Sequence, residues 1–474
     1  MKKIATALLS CALAAATLAG CAANAAQVPQ ESQEPHTAAL TATAAASVKS
    51  PKYVFLFIGD GMSYPQIQST SDYLGALKDA DYWQAQPSLD DNQGAILDGP
   101  EYLNFMNFEA AGSAVTYDSN SFAPDSASTA TSISTGHKTY SGSINVDETG
   151  TIEYETIAEQ LKAQKGWEIG VITSVNLNHA TPAAFYAHQA SRSSYYEIGL
   201  ELVESGFDYF AGGGLLKPTG SSGDQTDLYE LAQEAGYTVA KTHAEADAIG
   251  TNTEKAIIID EDLADSDAMA YELDRTDDMW ALADYVAKGI EVLDNDTGFF
   301  MMCEGGKIDW ACHANDAASS IHDTQALADA VQVAIDFAKE HADETLILVT
   351  GDHETGGLTI GFAGTDYDTY LDLLENQKIS FAKYDSDYVA SYKANKPPFG
   401  TVLADIEKLF GLKAQGEEGD KLVLTAYEME QLRAAYEKSI NGTASSQYDQ
   451  AEYVLYGTYE PLSVTITHII RTRV

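Results

Sequence analysis

Two short stretches of the sequence concentrate side chains of the kinds that hold metal ions. Glu304-Gly305-Gly306-Lys307-Ile308-Asp309-Trp310-Ala311-Cys312-His313 follows one apolar run, and Asp352-His353-Glu354 follows another. Asp309 and His313 are four apart, so a helix places both on one face. A carboxylate oxygen beside an imidazole nitrogen is a donor set suited to zinc. Asp60 stands one step past a third apolar run, between Gly59 and Gly61, where the backbone can turn sharply and a ligand can come close. Taken singly, each group reads equally well as a turn aspartate or a surface charge patch. Taken together they bring Asp60, Glu304, Asp309, Asp352, His313 and His353 to strand ends, a concentration of negative charge that cations must neutralise.

Asp125-Ser126-Ala127-Ser128-Thr129-Ala130-Thr131 opens a helix predicted to end near Gly136. Free amides and the helix dipole at that terminus favour an anion, so a serine alkoxide at Ser126, or a phosphoryl group bound to it, is cheaper there than elsewhere. A plain N-cap serine is the alternative. His179-Ala180-Thr181-Pro182 follows the next strand, and Thr181 before Pro182 also suits a helix cap with proline at the first helical position. Arg192, ten residues on and expected on that same helix, has a planar fork that fits phosphate oxygens in pairs.

These residues need a scaffold that brings distant parts of the chain together, and the apolar runs provide it. Tyr53-Val54-Phe55-Leu56-Phe57-Ile58, Glu168 to Val175, Phe299 to Cys303 and Thr345 to Thr350 read as buried strands, separated by helical stretches. Such alternation predicts an α/β protein with a mostly parallel central sheet between helical layers, a three-layer α/β/α sandwich. In open sheets of this kind ligands bind beyond the carboxyl ends of the strands, and all four of these ends carry polar residues suited to metal or phosphate chemistry. Residues 74–104, without clear periodicity, and residues 361–460, dense in Tyr, Lys and Glu, read as additions, the second as a cap or crown insertion beside the site. Thr425 and Glu428 have capping-box spacing and mark a helix start within it.

The N-terminus predicts processing. Lys2 and Lys3 precede an apolar stretch from Ile4 to Ala19, and Leu18-Ala19-Gly20-Cys21 has the form of a bacterial lipobox. Residues 1–20 are expected to be a lipoprotein signal, Cys21 the lipidated residue, 21–50 a tether, and 51–474 the catalytic domain; ordinary cleavage near Ala23-Asn24-Ala25 is the alternative. No later stretch is long and apolar enough to span a membrane, so contact with the membrane is expected through the lipid only. With a formal net charge of −44, the 474-residue chain is not built to attract nucleic acid, and loss of Lys2 and Lys3 makes it more acidic still. Anionic substrates would be repelled at long range, which again calls for metal ions at the site. Cys303 reads as a small buried hydrophobe; a disulfide to Cys312 is the minor alternative.

The motifs Ile58-Gly59-Asp60-Gly61-Met62, Asp125-Ser126-Ala127 through Ser134-Thr135-Gly136, His179-Ala180-Thr181-Pro182-Ala183-Ala184, Glu304-Gly305-Gly306-Lys307-Ile308-Asp309 and Thr350-Gly351-Asp352-His353 occur in the order and spacing of the alkaline phosphatases, and the chain resembles that family from about residue 50 onward. The resemblance implies hydrolysis of small phosphate monoesters through a phosphoserine at Ser126. It implies a first zinc on Asp309 and His313, a second zinc on Asp60, Asp352 and His353, and a magnesium on Asp60, Thr181 and Glu304. Arg192 would clamp the phosphate oxygens with Asp125 beside it. His179 and Trp310 hold positions that vary in the family and leave the metal of the third site open. Family members are commonly dimers, which allows a homodimer without any residue here speaking to it. The family's further histidine, in a His-Thr-Gly motif near the C-terminus, has no counterpart before Val474, and His468 among Val464, Ile466, Ile469 and Ile470 is expected to be structural. That departure keeps a catalytically impaired cation-binding lipoprotein as an alternative, beside a phosphodiesterase of the same superfamily. A sulfatase would need a Cys-x-Pro-x-Arg context that the sequence lacks.

Overall fold

The computed structural model describes residues 50–79, 82, 96–361, 368–442 and 461–474. The expected signal, tether and lipidated Cys21 lie outside them, as does much of the 74–104 stretch. Seven strands form one sheet in the order β4-β5-β3-β2-β6-β1-β7. They are β1 (Tyr53–Gly59), β2 (Glu168–Asn176), β3 (Tyr209–Gly213), β4 (Thr238–Ala240), β5 (Ala256–Ile259), β6 (Phe299–Gly305) and β7 (Thr345–Gly351). Every pairing is parallel. The four runs singled out above are four of these strands, and β3, β4 and β5 are additional.

The layering follows from strand periodicity. Alternate residues of β1 point to opposite faces. Val54, Leu56 and Ile58 join a cluster on one side with Ala127, Ala130 and Ala158. Tyr53, Phe55 and Phe57 join another with Tyr285, Val286, Leu327 and Val331. The helices that supply the first side include α2 (Ser126–Thr135) and α3 (Ile157–Lys165), and those of the second α6 (Leu282–Leu293) and α8 (Ala317–Glu340), with α1 (Tyr64–Lys78), α4 (Ala180–Ala183), α5 (Tyr195–Ser205) and α7 (Lys307–His313) at strand ends and connections. Buried on both faces, β1 and β6 read as continuous apolar runs for that reason.

Register decides what converges. Gly59 of β1 pairs with Gly305 of β6 and with Gly351 of β7, so the three strands end level. Asp60, Glu304 and Asp352 therefore emerge at one edge.

Between 371 and 442 the chain is mostly helical, with α9 (Phe399–Phe410) and α10 (Ala426–Asn441) its longest pieces; α11 (Leu462–Arg471) follows. Thr425 Oγ1 accepts from Glu428 N at 3.2 Å, so α10 begins where the capping-box spacing placed it. These helices share an apolar cluster with Tyr73 and Ala76 of α1 and with Ile321 of α8. The Val464, Ile466, Ile469 and Ile470 neighbours of His468 are buried. Cys303 and Cys312 are both free and buried, and no disulfide joins them. Among the described residues no helix is long and apolar enough to cross a membrane.

Candidate functional site

The site begins at the first turn of α2. Asp125 caps it, Oδ1 accepting from Ser128 N at 3.2 Å, and Gly136 at φ +76° ends it. Ser126 is the first helical residue and is buried, and its Oγ lies 3.2 Å from both Asp60 Oδ1 and His353 Nε2. Two strand ends thus deliver an acceptor and an imidazole to one hydroxyl at a helix N-terminus.

Asp60, Asp352 and His353 place ligand atoms all within 4.8 Å of one another. His353 Nε2 is 3.2 Å from Asp60 Oδ1 and 3.7 Å from Asp352 Oδ2. Asp352 is steadied from three sides, accepting from Thr129 Oγ1 at 2.9 Å, Gly61 N at 3.1 Å and its neighbour His353 N at 2.9 Å. Asp60 Oδ2 accepts from Thr181 Oγ1 at 3.4 Å. Glu304 is fully buried; Thr173 Oγ1, its register partner on β2, donates to Oε2, while Oε1 has no donor. Its approach to Asp60 brings together two acceptors, which form a hydrogen bond only if one is protonated.

Asp309 and His313 share one face of α7, with His313 Nε2 3.4 Å from Asp309 Oδ2. Asp309 Oδ1 accepts from Thr355 Oγ1 at 2.6 Å, and Thr355 Oγ1 also lies 3.2 Å from His353 Nδ1. Gly61 fits here because it has no side chain: a Cβ would come 2.9 Å from Asp309 Oδ1 and Thr355 Oγ1. Its φ of +66° suits glycine for a second reason.

Charge at the site is unbalanced. Burial and the nearby Asp60 carboxylate push Glu304 well above the usual range. The same two causes raise Asp352 to about 7 and raise Asp309. Burial works to raise Asp60 as well, but the hydrogen bond and charge of His353 outweigh it and hold Asp60 at about 2. Burial opposes the charge on His353, yet Asp352 and Asp60 raise it to about 11. The charge on His353 is set among the four carboxyl groups of Asp60, Glu304, Asp309 and Asp352. Together with Glu304 Oε1, which has no donor among the described residues, this donor set fits bound cations, with Asp60, Asp352 and His353 as a group that could hold one.

Arg192 Nη1 pairs with Asp125 Oδ2 at 2.8 Å, and Nη2 is 3.3 Å from His179 Nε2. Burial and the Arg192 charge hold His179 down at about 3. Trp310 meets His179 edge to face at 5.8 Å. Two sequence expectations need correcting here. The helix after β2 is a single turn, Ala180–Ala183, capped by His179, so Thr181 lies inside it and is not its cap. Arg192 is not on that helix; it stands in the loop before α5, held by its backbone N donating to Gly142 O at 2.7 Å. The residues that sequence reasoning missed are Thr129, Thr173 and Thr355, whose hydroxyls support Asp352, Glu304 and Asp309. Lys307 is also new: it is completely buried, 2.6 Å from Asp265 and over the rings of Tyr271 and Trp310.

Residues 51–409 match the family model described as alkaline phosphatase. Alkaline phosphatase 4 of Bacillus subtilis is 30% identical over 374 residues, which is 77% of this chain and 73% of that protein. Alkaline phosphatase 3 of the same organism is 30% identical over 396 residues, 81% of this chain and 75% of that one. Among solved structures, a cold-active alkaline phosphatase from Shewanella superposes with a TM-score of 0.65 at 25% identity, covering 89% of this chain and 98% of its own. The alkaline phosphatase of the Antarctic bacterium TAB5 gives 0.55 at 32% identity, covering 68% and 85%. A variant of the TAB5 enzyme was solved with magnesium in its M3 site.

Proposed function

The chain belongs to the alkaline phosphatase family and is a hydrolase of phosphate monoesters, and from that premise we propose that Ser126 is its nucleophile and that a phosphoserine lies on its path. What carries the reading is the position of Ser126 Oγ, 3.2 Å from Asp60 Oδ1 and from His353 Nε2 at the N-terminus of α2. Zinc on Asp309 and His313, zinc on Asp60, Asp352 and His353, and magnesium on Asp60, Thr181 and Glu304 would supply positive charge for the entering and leaving oxygens when bound. Ser126 Oγ forms the new bond to phosphorus as the ester oxygen leaves with its electron pair. Asp60 Oδ1 is a carboxylate acceptor in reach of the Ser126 hydroxyl proton. The free amides of α2 and the Arg192 fork meet the non-bridging oxygens, with Asp125 orienting the fork. Water then opens the phosphoserine and releases inorganic phosphate.

Ser126→Ala decides the matter. It should abolish covalent labelling by radioactive phosphate and remove nearly all turnover while metal content stays as in the wild type. Label retained on the variant sinks the assignment. A chromogenic monoester assayed beside a diester separates this reading from a phosphodiesterase. The substrate is a small monoester and not a nucleic acid, in keeping with the charge of −44. The lipobox Leu18-Ala19-Gly20-Cys21 supports a lipid anchor on Cys21 and action outside the cytoplasm. The mass of the mature N-terminus tests it, since an unmodified start beyond residue 21 excludes the anchor.

A further inference from the structure

We propose that Thr355 is a positioning residue that ties the two candidate zinc groups together, fixing which oxygen of Asp309 and which nitrogen of His353 face the metals. The inference rests on the reading that both groups hold zinc. It starts from proton accounting. A threonine hydroxyl has one proton to give and lone pairs to receive. A carboxylate that holds a metal is ionised and only accepts, so in that state the 2.6 Å contact from Thr355 Oγ1 to Asp309 Oδ1 uses that proton. The lone pairs of Oγ1 then face His353 Nδ1 at 3.2 Å, and Nδ1 must be the nitrogen that carries hydrogen.

A second, independent contact requires the same tautomer. The backbone oxygen of Glu354 lies 3.2 Å from His353 Nδ1, and a carbonyl can only accept. In the neutral imidazole that binds a metal, both neighbours therefore leave the lone pair on Nε2. Nε2 is the nitrogen that faces Asp60 Oδ1 and Ser126 Oγ, on the side where a metal would be held.

At the other group the effect is on the carboxylate. With Oδ1 engaged by Thr355, Asp309 presents Oδ2, the oxygen 3.4 Å from His313 Nε2. Thr355 is itself only 7% exposed, and Gly61 is packed so close that a single Cβ would reach 2.9 Å from both Thr355 Oγ1 and Asp309 Oδ1. The hydroxyl is thus buried in close packing against Gly61.

Partners of this kind behind metal ligands change metal affinity by about 10- to 100-fold. The test is a zinc titration of the metal-free full chain against a chromogenic chelator, on wild type, Thr355→Val and Thr355→Ser. Thr355→Val keeps the shape and loses the hydroxyl, and should bind zinc about 10- to 100-fold more weakly. Thr355→Ser keeps the hydroxyl and should stay close to wild type. A purely packing role for Thr355 gives the opposite order, because serine leaves a gap and valine does not. If Thr355→Val does not fold, Thr355→Ala takes its place against Thr355→Ser. Equal affinity in wild type and the hydroxyl-free variant overturns the inference, and so does a serine variant as weak as valine. A wild type that binds no zinc overturns instead the reading of both groups as zinc sites, and the inference falls with it.

Discussion

A single aspartate organises the chemistry at the residue scale. Asp125 Oδ1 accepts from Ser128 N and from Gly142 N, and Oδ2 holds Arg192 at 2.8 Å. The cap of the helix that opens with Ser126 and the anchor of Arg192 are therefore one side chain. Burial opposes charge on both partners, but the Arg192 charge leaves Asp125 lowered and the Asp125 charge leaves Arg192 raised, so the pair is charged throughout the working range. Arg192→Ala should lower kcat/KM by about two orders of magnitude and weaken inhibition by inorganic phosphate in step, with metal content unchanged. Steady-state kinetics with phosphate as inhibitor checks this, and unaltered phosphate inhibition would place Arg192 outside the substrate's reach. Charged residues at strand ends could be read from the sequence because acids and histidines after apolar runs stand out. Thr173, Thr129 and Thr355 could not, since a lone threonine hydroxyl carries no spacing signal until its partner is known.

At the scale of elements, the loop between α4 and α5 is held by a charged clasp. His188 Nε2 is 3.5 Å from Glu159 of α3, and Nδ1 is 3.5 Å from Glu201 of α5. Burial works against the charge on His188, but the hydrogen bonds and charges of Glu159 and Glu201 raise its pKa to about 10. A histidine whose pKa is raised by folding stabilises the fold fully below its unfolded value of about 6.5, and that stabilisation fades as pH climbs through about 10. His188→Gln should therefore cost roughly 2 kcal/mol at about pH 6, with the gap to wild type closing above about pH 10. Thermal melts across that range decide it; a gap independent of pH rules the clasp out. The loop held by this clasp also carries Arg192, which explains why a helix was the wrong expectation. Pro182 opens a helix well, but the chain turns after Ala183 to pair Gln189 with Ile144. Strands β1, β2, β6 and β7 were legible because seven to nine consecutive residues, mostly apolar and in the first three nearly all buried, leave little alternative. Strands β3, β4 and β5 were not, being three to five residues long, with Gly212 and Gly213 inside β3.

The whole molecule balances an acidic surface against an acidic centre. Asp60, Glu304, Asp309 and Asp352 are all at most 5% exposed, so cation removal should cost stability as well as activity. Chelation should lower the melting temperature by ~5 °C or more and abolish turnover together, and zinc with magnesium should restore both. Rebinding should show a tight class, from the compact and buried Asp60, Asp352 and His353, and a weaker one at Asp309 and His313, whose imidazole is 41% exposed. An unchanged melting temperature after verified metal removal would mean that the carboxylates do not depend on cations. β1 is among the first parts of the domain to be synthesised, yet its two neighbours in the sheet are β6 and β7, and the Gly61–Asp352 hydrogen bond spans 291 residues. At roughly 5–20 residues per second, translation takes about 15 to 60 seconds to bridge that distance. Until β6 has been made, Tyr53 to Ile58, a fully apolar segment, has neither of its neighbouring strands to pair with. The group of Asp60, Asp352 and His353 cannot exist before His353 is made, so a nascent chain lacks it until most of the domain has been synthesised, and its apolar strands are exposed to aggregation in the meantime.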